Sequence, residues 1–425
     1  MELKPGTCDK ITHLMQKGVL ILNPLTLDVG DQVDVDRIAS KGVKIYPGCR
    51  IYGEKTVIAE GTQLGQEGPV TVENCQIGRG VELKGGYFRE SVFLENSSMG
   101  LAAHVREGCI LEEQASGAHA VGLKHTILFP FVTLGSLINF CDCMMSGGSS
   151  RQDHSEVGSS YIHFNFTPDG DKATPSLIGD VPRGVMLNQR PVFLGGQGGM
   201  VGPLRLGFGN VVAAGTILRR DFLEEGKLII DKAHSDVVAP FLPHQYTGLA
   251  RLLSNNIVYL ANLVALEMWY RKVRKPFFDE QQLGKLIYEG ALEKLGLARQ
   301  ERIKRLEIMA RRLLPSIQKD QERGLKAAGK KEFHDKIEEL SRLFAKDLLT
   351  LDETELGRSF LAAFQDHRKS RQGTYLETIK SLPASLSEQG TKWLQAIVDR
   401  LCHEAAAVMP AMKMFRKKRS TGVVE

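Results

Sequence analysis

A six-residue interval governs the first half of the chain. Ile45, Ile51 and Val57 stand six apart, with Leu64 one residue late, and Leu206, Val212 and Leu218 repeat the interval through LGFGNV and VAAGTI. Ile77 with Leu83, and Val121 with Ile127, keep it too. The blocks between them, YPGCR, YGEKT and IAEGT, are rich in glycine and turn formers. Such a hexapeptide period predicts a β-helix. Each unit supplies one short strand with an inward aliphatic residue, then a tight turn where small residues relieve strain. Three units close a triangular coil of about 18 residues, and stacked coils bury a continuous aliphatic column. A β-sandwich of short strands is the competing reading, but sandwiches do not keep a six-residue interval.

From about Pro243 the pattern changes. Leu252, Leu253, Ile257, Val258, Leu260, Leu263, Val264 and Leu266 fall at helical spacing, and amphipathic stretches follow at 279–297, 299–314, 316–348, 353–370 and 386–409. About six helices are expected, punctuated by Pro315, Gly373 and Pro383. Composition divides at the same place. Residues 1–244 carry 22 Lys/Arg against 27 Asp/Glu and 33 of the 43 glycines, whereas residues 245–425 carry 33 Lys/Arg against 23 Asp/Glu. An acidic, glycine-rich half and a basic, glycine-poor half read as regions of different class. The expected division is an N-terminal segment at 1–17, a β-helix at 18–240 and an all-α region at 241–425.

The basic faces of the helices read as solvated surface rather than a nucleic-acid site, since the tail KMFRKKRS lacks aromatic interleaving. Seven scattered cysteines and no basic-apolar-small leader point to reduced thiols in a cytoplasmic protein. No run of about 18 apolar residues occurs, so no membrane span is expected.

Four stretches resemble a known family: GVLILNPLTLDVGDQVDVD, VREG followed by VGLKH, NFTPDGDKATPSLIGD, and FLGGQGGMVGPLRLGFGNVVAAGTILRRD. They are similar to the C-terminal acetyltransferase half of the bacterial bifunctional glucosamine-1-phosphate acetyltransferase/UDP-N-acetylglucosamine pyrophosphorylase. The resemblance covers about half the chain and omits the helical region. It implies a left-handed parallel β-helix of the trimeric LpxA-like class, here of roughly ten coils, with active sites between subunits of a homotrimer. The pyrophosphorylase half has no expected counterpart.

The same resemblance places a sugar phosphate at Arg106 and Lys124. These residues are 18 apart, one coil, so they should project from one side about 4.8 Å apart in sheet spacing. An anion between them would relieve their repulsion, with Arg binding it bidentately and Lys as a point charge. Pairing with Glu107, Glu112 or Glu113 is the plainer alternative. Asn165 and Phe166 match the family's Asn-aromatic loop, lengthened here by Thr167 and Pro168, and Lys172 falls near its loop lysine. Gly195, Gly196, Ala213 and Ala214 match the groove for acetyl-CoA or another acyl-CoA, with Arg219 and Arg220 at its phosphate exit.

Acyl transfer to an amine requires a proton acceptor, usually histidine near neutral pH. The family's histidine position is Ser136 here, and its following tyrosine position is Asn139. His154 lies 18 residues after Ser136 and would stack on it in uninterrupted coils. Matching Glu156-Val157-Gly158 to the family, however, implies an extra stretch of about five residues before it. His163 is the second candidate base. Cys141 and Cys143 have the i, i+2 spacing of a strand, but no second ligand pair accompanies them. Buried thiols are expected there and no metal, while His119 and His125, six apart, should point in different directions. Two functions follow. One is a transferase binding a sugar phosphate or nucleotide sugar, with an acyl-CoA for N-acyl transfer. The other is a non-catalytic trimeric scaffold or ligand-binding protein whose helices are an interaction module.

Overall fold

The computed structural model describes residues 5–165, 167–230, 238, 240, 243, 245–246, 248–345 and 354–415. After a first helix, α1 (Pro5–Lys17), short strands wind into three parallel sheets of 11, 10 and 8 strands. We call these face A (Leu20–Ile21 to Leu228–Ile229), face B (Asp28–Val29 to Ile217–Leu218) and face C (Val57–Ile58 to Arg205–Leu206). The result is a parallel β-helix of about eleven turns, one more than the sequence suggested.

Registered neighbours build the inward columns. Face A stacks Ile45, Leu64 and Leu83; face B stacks Val72, Phe88 and Val105; face C stacks Ile58, Ile77, Phe93 and Leu111. On face C the inward residue is therefore Ile58, and Val57 pairs with Gln76, which points out. This shift by one places Leu64 six after Ile58 and removes the irregularity in the hexapeptide count. Each corner carries one residue per coil in the left-handed conformation, such as Asn74, Glu90, His125 and Asp142 between faces B and C. Polar side chains there tolerate positive φ better than branched ones do.

Two insertions interrupt the coils. Thr133 pairs with Glu156, 23 residues on, so the loop at 146–155 adds about five residues to the regular 18. Glu156 pairs in turn with Phe193, 37 residues on. That interval holds the loop at 165–175 and a short helix, α2 (Val181–Gly184).

Among the described residues eight further helices follow: α3 (Leu249–Trp269), α4 (Lys275–Asp279), α5 (Gly284–Arg311), α6 (Leu314–Glu322), α7 (Ala328–Ala345), α8 (Glu355–Ser370), α9 (Tyr375–Lys380) and α10 (Ala384–Val408). Six were expected. The long stretch at 316–348 divides because Gly324 turns to a φ of 68° between α6 and α7, and α4 and α9 are too short to show a period. The segment Leu249–Asp279, which includes a π-helical turn at Tyr270–Arg274, is long and apolar enough to cross a membrane by length and composition. The sequence had suggested no such segment. In the fold 78% of its most apolar window is buried, so its apolar surface meets protein.

α3 and α5 lie along face C. Gly290 makes the close approach possible, because a Cβ there would stand 2.3 Å from Gln76 Oε1. Polar clamps fix the arrangement. Arg274, 1% exposed, forms ion pairs with Glu112 and Glu113, and Tyr270 donates to Glu112 Oε1 at 2.6 Å. Tyr375 lies 4.0 Å beneath the guanidinium. Arg302 binds Asp142 Oδ1 at 2.7 Å, and Asn262 accepts from the Val181 N–H. Removing one partner of a buried pair strands the other's charge, at a cost of about 3–5 kcal/mol. Arg274→Ala should therefore lower chemical-denaturation stability by about that much. A loss under about 0.5 kcal/mol in urea titration would show that Arg274 contributes no more than an ordinary surface residue.

Candidate functional site on face B

Face B aligns the outward side chains of successive coils. Tyr87 pairs with His104, His104 with Gly122, and Gly122 with Asn139. Two residues along, Arg106 follows Val105 and Lys124 follows Leu123, and those neighbours are in register, so the two cations stand one rung apart as their spacing predicted. Lys124 is registered with Cys141 on the next coil. Lys124 Nζ reaches Glu107 Oε1 at 2.6 Å, so one of the two cations is already paired. The lysine ammonium holds the Glu107 carboxyl below its usual value against the opposing effect of burial.

The cysteine pair differs from the strand expected for it. Cys141 ends a face B strand, Asp142 turns the corner, and Cys143 begins a face C strand. The two thiols are buried as expected, but on different sheets. Burial pushes the Cys141 thiol up, while Arg106 and Lys124 pull it down.

Ser136 is engaged rather than vacant. Its Oγ lies 2.8 Å from His119 Nδ1, one coil below at the corner between faces A and B. His119 is exposed. The sequence held the signal, since 17 residues separate the two and this coil is one residue short of 18. His119 and His125 do stand at different corners.

The other two histidines lie elsewhere. His154 sits in the inserted loop beside face A, its Nε2 3.8 Å from Glu156 Oε2, and the coil above Ser136 is instead occupied by Ser159 and Ser160. His163 points into the β-helix and is 2% exposed. Its Nδ1 donates to the Cys141 carbonyl, and its Nε2 accepts from Ser176 Oγ at 2.8 Å. Because a carbonyl only accepts, the ring is the neutral Nδ1–H tautomer with both nitrogens occupied.

The loop at 165–175 leaves the end of a face B strand. Asn165 is half-buried, with its carbonyl accepting from Thr174 Oγ1; Phe166 lies outside the described residues. Lys172 is exposed at a φ of 54°. Two helices and the segment before α3 hold this loop: Arg302 donates to the Lys172 carbonyl at 3.3 Å, Tyr246 to Asp171 Oδ2 at 3.1 Å, and Asn256 to the Ala173 carbonyl at 3.0 Å. Nothing in the hexapeptide pattern announces these contacts.

Gly195, Gly196, Ala213 and Ala214 fall on neighbouring rungs near the corner of faces A and B. A Cβ on Gly196 would come 2.7 Å from the Ser159 carbonyl oxygen, and one on Gly195 would come 2.3 Å from the Ala214 nitrogen. Close coil stacking is thus sufficient reason for both glycines, whatever else they contact. Arg219 and Arg220 are exposed beyond them, with Arg220 5.0 Å over the Phe222 ring.

Burial pushes the His163 pKa down to about 4. In the unfolded chain the ring titrates near 6.5, so below that pH the unfolded state binds the extra proton first. The stability contributed by the neutral ring is present above pH 6.5 and is lost as pH falls toward 4, amounting to roughly 3 kcal/mol. A His163→Asn protein should show a flatter stability profile between pH 6.5 and 4 in denaturation titrations. An unchanged slope would remove His163 as its source.

No family model matches the chain. The β-helix is similar to bifunctional GlmU proteins: 28% identical over 213 residues to that of Thermotoga maritima, covering 50% of this chain and 42% of the relative. Identity is 28% over 222 residues to that of Pelobacter propionicus, covering 52% and 42%, and 25% over 223 residues to that of Synechococcus elongatus, covering 52% and 44%. The chain spans about two fifths of the length of these relatives. Over half its length, then, this chain is a homologue of bifunctional GlmU proteins, and the shared portion is the β-helix.

Proposed function

We propose that the chain is an acyl-CoA-dependent N-acyltransferase of an amino-sugar phosphate or nucleotide amino sugar, with its acceptor site on face B. The observation that carries this reading is the placement of Arg106 and Lys124 in one outward column, one coil from the hydrogen-bonded Ser136–His119 pair. Arg106 and Lys124 hold the acceptor's phosphate, with Lys124 exchanging Glu107 for it. The acceptor amine attacks the thioester carbonyl, forming the C–N bond and breaking the C–S bond. Its proton passes through the Ser136 hydroxyl to His119 Nδ1, and the thiolate leaves to be protonated as free thiol. A hydroxyl alone is a poor base near pH 7, but one that hands its own proton to an imidazole serves as a relay. Gly195, Gly196, Ala213 and Ala214 form the strip along which the pantetheine arm lies, and Arg219 and Arg220 meet its phosphates. Asn165 and Lys172 close the acceptor site from the loop that the helices hold.

We further propose that the chain self-associates through faces A and B, completing the site with a neighbour's loop. Helices cover face C, whereas Leu137 (56% exposed), Ile162, Phe164, Phe193 and Leu228 (67% exposed) lie bare on or between the other two faces. Exposed apolar residues grouped on two faces are the usual mark of an interaction surface. Sedimentation should give a trimer, and Leu137→Asp should shift it toward monomer. A monomer at all concentrations would end this part of the proposal.

The acyl-transfer reading is tested by thiol release from acetyl-CoA with glucosamine 1-phosphate as acceptor. His119→Ala should lower kcat by about 10²-fold or more, as expected for loss of a general base. Lys124→Ala should act chiefly on the KM for the acceptor. An absence of turnover by the unmodified chain across amino-sugar phosphates and UDP-sugars would favour the non-catalytic scaffold instead.

A further inference from the structure

The inserted loop at 146–155 and helix α9 are both foreign to the hexapeptide scaffold, and both line one cavity. Together with the corner between faces C and A they line an open cavity of about 740 Å³, within the range of small-molecule sites. It lies on a different corner from the Ser136–His119 pair. Its chemistry is divided. On the β-helix side stand Glu95 and Glu113, on adjacent rungs. Glu113 is 8% exposed; one of its oxygens takes the Arg274 guanidinium, and Oε2 is buried with no hydrogen-bond partner. A buried carboxylate oxygen without a donor costs free energy that an incoming N–H group would recover. Burial raises the Glu95 carboxyl, with Arg79 opposing and Glu113 and Glu377 adding to the rise.

The remaining wall is mixed: Arg151 and Lys380 are cations, and Glu377 stands on α9 three residues before Lys380. Arg151 Nη1 donates to the carbonyls of Gln114 and Phe131 and to Thr133 Oγ1, all of them neutral acceptors. Lys380 lies 5.9 Å over the Phe131 ring. Among the described residues neither cation has a carboxylate partner. Phe131, at a φ of 71°, holds a conformation that bulky residues rarely adopt, and it both offers its carbonyl to Arg151 and sets its ring under Lys380. Amide side chains of Asn96, Gln114 and Gln152 on the same lining suit hydroxyl groups, and Tyr375 with Phe131 supplies apolar faces for a ring.

We propose that this cavity binds a small hydroxylated zwitterion, a phosphorylated amino sugar by chemical class, with its ammonium against Glu113 and Glu95 and its phosphate against Arg151 and Lys380. This is a second site, independent of the acceptor site on face B. Occupancy would tie the helical region to the inserted loop.

The test is calorimetric titration of the full chain carrying Arg106→Ala and Lys124→Ala, so that neither phosphate-holding cation of face B contributes. The probes are glucosamine 6-phosphate, glucose 6-phosphate, which lacks the amine, and glucosamine, which lacks the phosphate. Saturable binding of the first, at least tenfold tighter than either of the others, is expected. Adding Lys380→Ala or Arg151→Ala, both at exposed positions and checked for folding by circular dichroism, should weaken it a further tenfold or more. The proposal is overturned by absence of binding, by equal affinity for all three probes, or by binding indifferent to both cavity substitutions.

Discussion

Arg274 is the residue through which the two regions of this chain become one structure. A guanidinium with 1% of its side chain exposed cannot remain unpaired, and Glu112 and Glu113 are the carboxylates that meet it. The three are contributed by a corner of the β-helix and a π-helical turn more than 150 residues later. Arg302 repeats the device with Asp142 at the next corner of the prism. Such pairs contribute little net stability compared with apolar packing, but they penalise every misaligned arrangement, because each displaced register leaves a charge buried alone. The helices are therefore held to face C in one register.

That register decides which surface remains for chemistry. With face C covered, two outward columns on face B stay open, Arg106 and Lys124 in one and His104, Gly122 and Asn139 in the other, and the loop at 165–175 is anchored from behind by Arg302, Tyr246 and Asn256. The loop's position is thus a property of the helical region as much as of the coils from which it springs. A single contact set links the two: Asp142, which follows Cys141 at the end of the face B strand, is the residue that Arg302 grips.

Much of this was legible in the residues. The six-residue interval led to the β-helix and the 18-residue spacing aligned Arg106 with Lys124; the family match implied about five extra residues before Glu156, as the 23-residue spacing shows, while His154 stayed a candidate base until the structure put it beside face A. The covering of face C was also legible, though missed. Val92, Ile110, Ile127 and Met144 form an outward run that is apolar and buried, with Gln76 between it and Val57, whereas a strand with one solvated face alternates apolar with polar. Other features had no one-dimensional trace. Cys141 and Cys143 look like neighbours on a strand until Asp142 is seen to turn a corner, and the hold of Arg302, Tyr246 and Asn256 on the loop at 165–175 follows no period.

The sequence by itself determined the period, and with it the coils, their inward columns and the outward alignment of residues one coil apart, because a repeat of fixed length admits only one stacking that buries its aliphatic residues. Only the tertiary structure decided which face the helices cover, which histidine stands beside Ser136, and that an inserted loop and a short helix line a cavity around Glu113. Those outcomes rest on side chains that meet after long excursions of the chain. They follow from the pairing of buried charge and from the closeness of backbones, as at Gly290 against Gln76, and neither leaves a periodic mark in the sequence.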